Sequence, residues 1–139
     1  MYKRIDNWQN VLVKELEKPR FFQWGKDDCC LFACDIIEKI TGTDPAIEFR
    51  GKYNTALGAY KEIKRQGYEG VVDVARKICK KYGWPEVHPN LAQRGDAIAA
   101  KFDGHYALGI MEIEYGFFVG ESKYVYLERS QIDFAWRIG

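Results

Sequence analysis

A chain of 139 residues is long enough to bury a core without metal or disulfide support, and 21 Lys plus Arg against 20 Asp plus Glu leave a net charge of +1. No overall field is available to recruit nucleic acid or an anionic membrane, so partners must be recognised locally. The opening residues M-Y-K-R-I-D-N-W-Q-N carry no apolar h-region or cleavage site, and no later run is long enough to span a bilayer; the expectation is one domain, 1–139, synthesised in the cytoplasm without a signal peptide and without membrane insertion.

Residues 6–18 predict a helix that packs Trp8, Val11, Leu12 and Leu16 on one face, with Asp6 or Asn7 as its cap and Pro19 as its stop. Phe21, Phe22 and Trp24 then predict an extended, strand-like approach to a turn at Gly25. A mostly buried helix follows from Cys29 through Ile40, because Cys-Cys-Leu-Phe-Ala-Cys is apolar throughout and Ile36, Ile37 and Ile40 continue it. Asp27 or Asp28 can cap its first turn, and Gly42 with Pro45 beyond it supplies the C-terminal stop.

The cysteines are expected to be reduced. Cys29 and Cys30 are neighbours and Cys30 and Cys34 share a helix face, a poor arrangement for bridges. Neither a C-x-x-C pair nor a nearby histidine offers a zinc site, so no metal and no cofactor is expected. Cys30, Cys34 and Cys79 read as small core residues. Cys29 reads differently: in the first turn, free N–H groups and the positive end of the helix dipole favour a thiolate, the nucleophilic form.

The loop T-D-P-A-I-E-F-R-G-K-Y-N-T offers Arg50 and Tyr53 as groups that could line a cleft and hold a carboxylate. Helices are predicted at 55–66 and 69–82, closed by Gly67 and Gly83; Lys77, Lys80 and Lys81 form the solvated side of the second. After Trp84-Pro85 the periodicity changes. Strands are predicted at 97–102, 105–113, 117–119, 123–128 and 133–138, parted by Asp103-Gly104, Tyr115-Gly116, Gly120 and a Ser-Gln stretch. Helices first and strands last give an α+β fold, with the cysteine helix against an antiparallel sheet. A cysteine nucleophile requires a base, and His105, opening a strand, is the candidate that can reach over the sheet to a helix end; His88, before a proline, reads as solvated.

Three stretches, W-G-K-D-D-C-C at 24–30, R-G-D-A-I-A-A at 94–100 and G-H-Y-A-L-G-I at 104–110, together resemble the NlpC-type branch of papain-like cysteine peptidases. F-R-G-K-Y at 49–53 and A-W-R-I at 135–138 resemble in particular the small members encoded among bacteriophage tail genes, and the likeness runs from about Phe21 to the end, with the helices at 55–82 as an insertion. The resemblance implies a papain-like fold in which Cys29 is the nucleophile, its own N–H contributes to an oxyanion hole, and Trp24, Asp28, Arg50 and Tyr53 border the substrate. It implies hydrolysis of bacterial cell-wall stem peptides by a virion tail protein, with other tail proteins as partners and no nucleic acid.

The family places its base two residues before the glycine, at Ala107 here, whereas the histidine is two residues earlier, on the same strand face and about 7 Å along. The third member depends on register. If residue 107 pairs with 119, Glu121 opposes His105; if Tyr115-Gly116 forms a two-residue turn, Tyr126 does. The departure at Ala107 leaves two readings: a thiol hydrolase, and a catalytically degenerate tail protein that uses the fold for protein contacts.

Overall fold

The computed structural model describes every residue except Met1, Asp103, Glu121 and Ser122. Its helices are α1 (Trp8–Glu17), α2 (Cys29–Thr41), α3 (Ala56–Arg65) and α4 (Val71–Lys81), and its strands are β1 (Glu86–Val87), β2 (Ala97–Phe102), β3 (His105–Met111), β4 (Tyr115–Val119), β5 (Tyr124–Glu128) and β6 (Phe134–Trp136). The six strands form one antiparallel sheet in the order β1-β6-β2-β3-β4-β5. The fold is α+β, as the switch from helical to alternating periodicity predicts. Among the described residues, no helix is long and apolar enough to cross a membrane.

Alternation of side chains sorts the sheet into two faces. Ala97, Ala99, Leu108, Ile110, Val119 and Trp136 face the helices and pack with Phe32, Ile36 and Ile40 of α2, Leu12 of α1 and Cys79 of α4. Ile98, Ala100, Met111, Phe118 and Ala135 point the other way, into a smaller cluster with Ala92 and Ile132, which adjoin short 3-10 turns at Pro89–Leu91 and Arg129–Gln131. At the centre of the helical face, α2 is buried along Leu31, Phe32, Ala33, Ile36, Ile37 and Ile40. Gly42 ends it in the left-handed region at φ 78°, its N–H donating to the Glu38 carbonyl at 2.7 Å.

The chain ends are tied through Asp96. This fully buried carboxylate accepts from the Arg4 guanidinium at 2.8 Å, the Arg137 guanidinium at 3.0 Å, the Gln93 N–H at 2.8 Å and the Ile138 N–H at 3.1 Å. Arg4 also donates to the carbonyls of Ile138 and Arg94, both at 2.7 Å. The Gly-Asp and A-W-R-I pieces of the sequence are thus two halves of one clamp.

Four local expectations are corrected. Residues 20–24 form no strand: Gln23 accepts from the N–H groups of Lys26 and Asp27, which coils the approach to α2, and Arg20 is held by Glu15, Asp27 and Asp35. Tyr115 and Gly116 open β4, the reversal falling over 112–114, where the Glu112 N–H donates to the Tyr115 carbonyl at 2.9 Å. Glu86–Val87 adds a strand too short to leave a periodic signal, paired with Ala135 and Trp136. Finally, β3 and β4 pair Ile110 with Phe117 and Met111 with Gly116, one residue away from the register that sets 107 against 119, and different again from the one that sets 105 against Tyr126. A one-residue slip exchanges the sheet faces, so neither expected partner of His105 follows from this ladder.

Candidate thiol site

Gly25, at φ 84°, makes the turn before α2, and a Cβ built there would lie 1.9 Å from the Tyr53 carbonyl oxygen. Glycine is required both for the backbone angle and for the close approach of the 49–53 loop. That loop is fixed by the cap. Asp28, 1% exposed, accepts from the Leu31 N–H at 3.0 Å, the Gly25 N–H at 3.0 Å and the Tyr53 hydroxyl at 2.6 Å. Burial and the bond to Asp28 hold the Tyr53 phenol well above its ordinary value. Of the two candidate caps, then, Asp28 serves, and Asp27 turns outward to Arg20 at 2.9 Å.

The cap places Cys29 at the first residue of α2, half-buried, with its Sγ 3.9 Å from that of Cys30. The Cys29 thiol is held below its ordinary value, first by the side-chain hydrogen bond with Cys30, with further help from the backbone N–H groups of Leu108 and Cys30; burial and the Asp28 charge act in opposition. The same bond raises Cys30 well above its ordinary value, with burial adding to it. The contact between the two sulfurs thus favours ionisation at Cys29 and disfavours it at Cys30. Cys34 is raised by burial, and Cys79 is pushed up to about 12 by burial, as expected of core thiols.

On β3, the Leu108 N–H is among the groups that lower the Cys29 thiol. Leu108 faces the helices, whereas Ala107 belongs to the opposite cluster. His105 pairs with Phe102, which also packs in that opposite cluster, and strand alternation puts the imidazole on the face away from α2. It is exposed. This differs from the expectation that His105 projects onto the helix end, and the reason is parity: it stands three positions, an odd offset, from Leu108, which faces the helices. No histidine is among the strongest influences on the Cys29 thiol. His88 is exposed in a loop, its Nδ1 accepting from the Asn90 N–H at 3.0 Å.

The remaining candidates are distributed as follows. Glu121 lies outside the described residues. Tyr126 stands on β5, 56% exposed, its ring edge-on to Phe117 at 4.7 Å. Arg50 is engaged by Asp44 at 2.7 Å and Asp35 at 2.8 Å, which ties the loop to α2 and leaves its charge paired. Trp24 packs edge-on against Phe22, ring centroids 5.0 Å apart. The structure thus brings together Cys29, Asp28 and Tyr53, with Gly25 beneath them, and keeps His105 and Arg50 apart from them.

Two features of the site escaped the sequence reading. Leu108 gave no signal, since a backbone N–H is common to almost every residue. Cys30 packs against the core, as expected, and also touches the Cys29 sulfur, a contact that the adjacency of the two cysteines signals. Among the described residues, no group of three or more His, Cys, Asp or Glu side chains is arranged to hold a metal.

No curated protein and no solved structure matches the chain. A family model does match, over residues 3–138, so the chain belongs to the family described as Domain of unknown function (DUF6950).

Proposed function

We propose that this chain is a papain-like domain of NlpC type that has kept the thiol-bearing helix without its histidine, and that it acts as a non-hydrolytic protein-contact component of a bacteriophage tail. The observation that carries the reading is the identity of the β3 residue against Cys29. The Leu108 N–H acts on the thiol and its side chain lies in the helix-facing core, while His105, by strand alternation, points from the other side of the sheet. Amide hydrolysis needs a proton delivered to the leaving amine, and a thiolate alone does not deliver it. The remaining buried polar groups of the motif are engaged in holding the fold: Asp28 caps α2 and anchors Tyr53, and Asp96 clamps the termini. The tail context rests on the sequence resemblance.

The peptidase reading has one observation in its favour, the lowered Cys29 thiol at the start of a 13-residue helix with two N–H groups beside it. Such a cradle suits an anion and would suit an oxyanion. Release of soluble peptides from purified cell-wall sacculi by the wild-type chain, its Cys29→Ala variant and its His105→Ala variant separates the two. The contact reading expects no release above background from any of them, and the same pH profile of Cys29 alkylation in wild type and His105→Ala. Release that disappears in both variants, with a shifted alkylation profile in His105→Ala, establishes the hydrolase instead.

A further inference from the structure

The charge of this chain is nearly balanced in sum and unevenly placed. Residues 52–82, which include α3 and α4, hold eight Lys or Arg against three Asp or Glu, a net of +5; the rest of the chain, on a total of +1, is therefore −4. A cleft of about 420 Å³ opens between this helical pair and the loop after α2. Arg65, Lys77 and Lys81 line it together with Tyr68 and Tyr82, and Glu48 is the one acidic side chain among its lining residues. The two lysines are only lightly committed. Arg65 donates to both carboxylate oxygens of Glu62, whereas Lys77 pairs with Asp73 one turn away on the same helix through a side chain that is 57% exposed, and such a pair contributes little. Lys81 has no ion-pair partner among the described residues.

We infer that this cleft binds an acidic polypeptide segment of a partner protein, with carboxylates set against Arg65, Lys77 and Lys81. Charge complementarity names an anion, and two further features name its class. Ile47, 66% exposed, borders the cleft with Pro45 and Ile78, so the site offers an aliphatic wall to side chains that alternate with the acidic ones. Single-stranded nucleic acid, the other polyanion to consider, is held by bases stacked on open aromatic rings. Here the rings are occupied: Lys77 lies over Tyr68 at 5.7 Å with Phe49 packed beside it, and Lys81 lies over Tyr82 at 5.4 Å with Trp84 and Tyr2 as neighbours. The surface shares no lining residue with the thiol site, and the inference stands whether or not Cys29 hydrolyses anything.

The test is fluorescence anisotropy with a labelled decapeptide of alternating Glu and Leu, beside an alternating Lys and Leu decapeptide and a thymidine dodecamer, at low and at physiological ionic strength. The acidic peptide is expected to bind and to weaken with salt. It is expected to lose about tenfold or more in affinity to the Lys77→Glu, Lys81→Glu double variant, and to bind undiminished to Lys101→Glu, a charge reversal on the exposed part of β2. Circular dichroism of both variants confirms that the fold is retained, since all three lysines are exposed. Failure of the acidic peptide to bind, equal binding of the basic peptide, equal losses in the two variants, or tighter binding of the dodecamer overturns the inference.

Discussion

Asp28 and Asp96 are the two least accessible carboxylates among the described residues, 1% and 0% exposed, and each directly precedes a buried element of the core. They are satisfied in different ways. Asp96 stands between two guanidinium groups, Arg4 and Arg137, and receives two backbone N–H groups as well. Asp28 receives only neutral donors, two backbone N–H groups and the Tyr53 hydroxyl, at the positive end of α2. A carboxylate held by cations is a fastener: it draws N-terminus and C-terminus onto the start of β2 and shields its own charge. A carboxylate held by neutral dipoles keeps its field, and the ionisable groups beside it feel that field: it raises the Tyr53 phenol and opposes ionisation of the Cys29 thiol. The same residue type thus serves as a lock in one place and as an electrostatic setting in the other.

The largest effect expected from breaking this comparison is at Asp96. Asp96→Ala leaves two partly buried guanidinium groups facing each other without their anion, and a loss of about 3–5 kcal/mol is expected in urea unfolding. Asp28→Ala removes the cap of α2 and leaves the Gly25 N–H and the Tyr53 hydroxyl without an acceptor. Here a loss of about 2 kcal/mol is expected, because no cation is stranded. Equal losses at the two sites would mean that the guanidinium partners of Asp96 add nothing over neutral donors, and the distinction between lock and setting would fall.

A smaller effect sharpens the Asp28 side. Tyr53→Phe deletes one of its three donors and is expected to cost about 1 kcal/mol near neutral pH. The sign of its pH dependence follows from the raised Tyr53 phenol: the unfolded chain gives up this proton above about pH 10 while the folded chain keeps it. The stability that Tyr53 contributes is therefore fully present below that pH and is lost as pH rises beyond it. Wild type and Tyr53→Phe should converge in urea midpoint above pH 10; a gap that widens there would contradict the bond to Asp28.

Much of this was legible in the residues, and the limits have physical causes. The helix of the cysteines, its acidic cap and its glycine stop were readable because a buried helix needs a continuous apolar run and each end needs a particular residue type. The α+β order followed from the change of period after Trp84. The β3–β4 register was not legible, since the reversal at 112–114 contains no Asn-Gly or Gly-Gly pair to fix it, and Tyr115-Gly116 looked more like a turn than the true one. The sheet face of His105 was hidden with it. Strand alternation told that His105 and Ala107 share a face, and only packing told which face: Ala107 lies with Ile98 and Phe118, away from α2. Arg4 was unreadable as a partner of Asp96 because their contact spans 92 positions of sequence.

The finest difference to test is the charge setting at Cys29, where two substitutions should act in opposite directions. Asp28→Asn keeps an oxygen for the Leu31 N–H and removes the negative charge that opposes the thiolate, so Cys29 should be alkylated by iodoacetamide severalfold faster below neutral pH. Cys30→Ala removes the hydrogen bond that contributes most to lowering the Cys29 thiol, so alkylation should slow severalfold and its pH profile should move toward that of an ordinary thiol. Site assignment by mass spectrometry reads Cys29 in both. If Cys30→Ala left the profile of Cys29 in place, the thiolate would have to be held by the Leu108 and Cys30 N–H groups alone, and the pairing of the two sulfurs would be no more than proximity. If instead both shifts appear with the predicted signs, the thiolate is set by its own helix start, with Cys30 and Asp28 pulling against one another and no contribution required from the far side of the sheet.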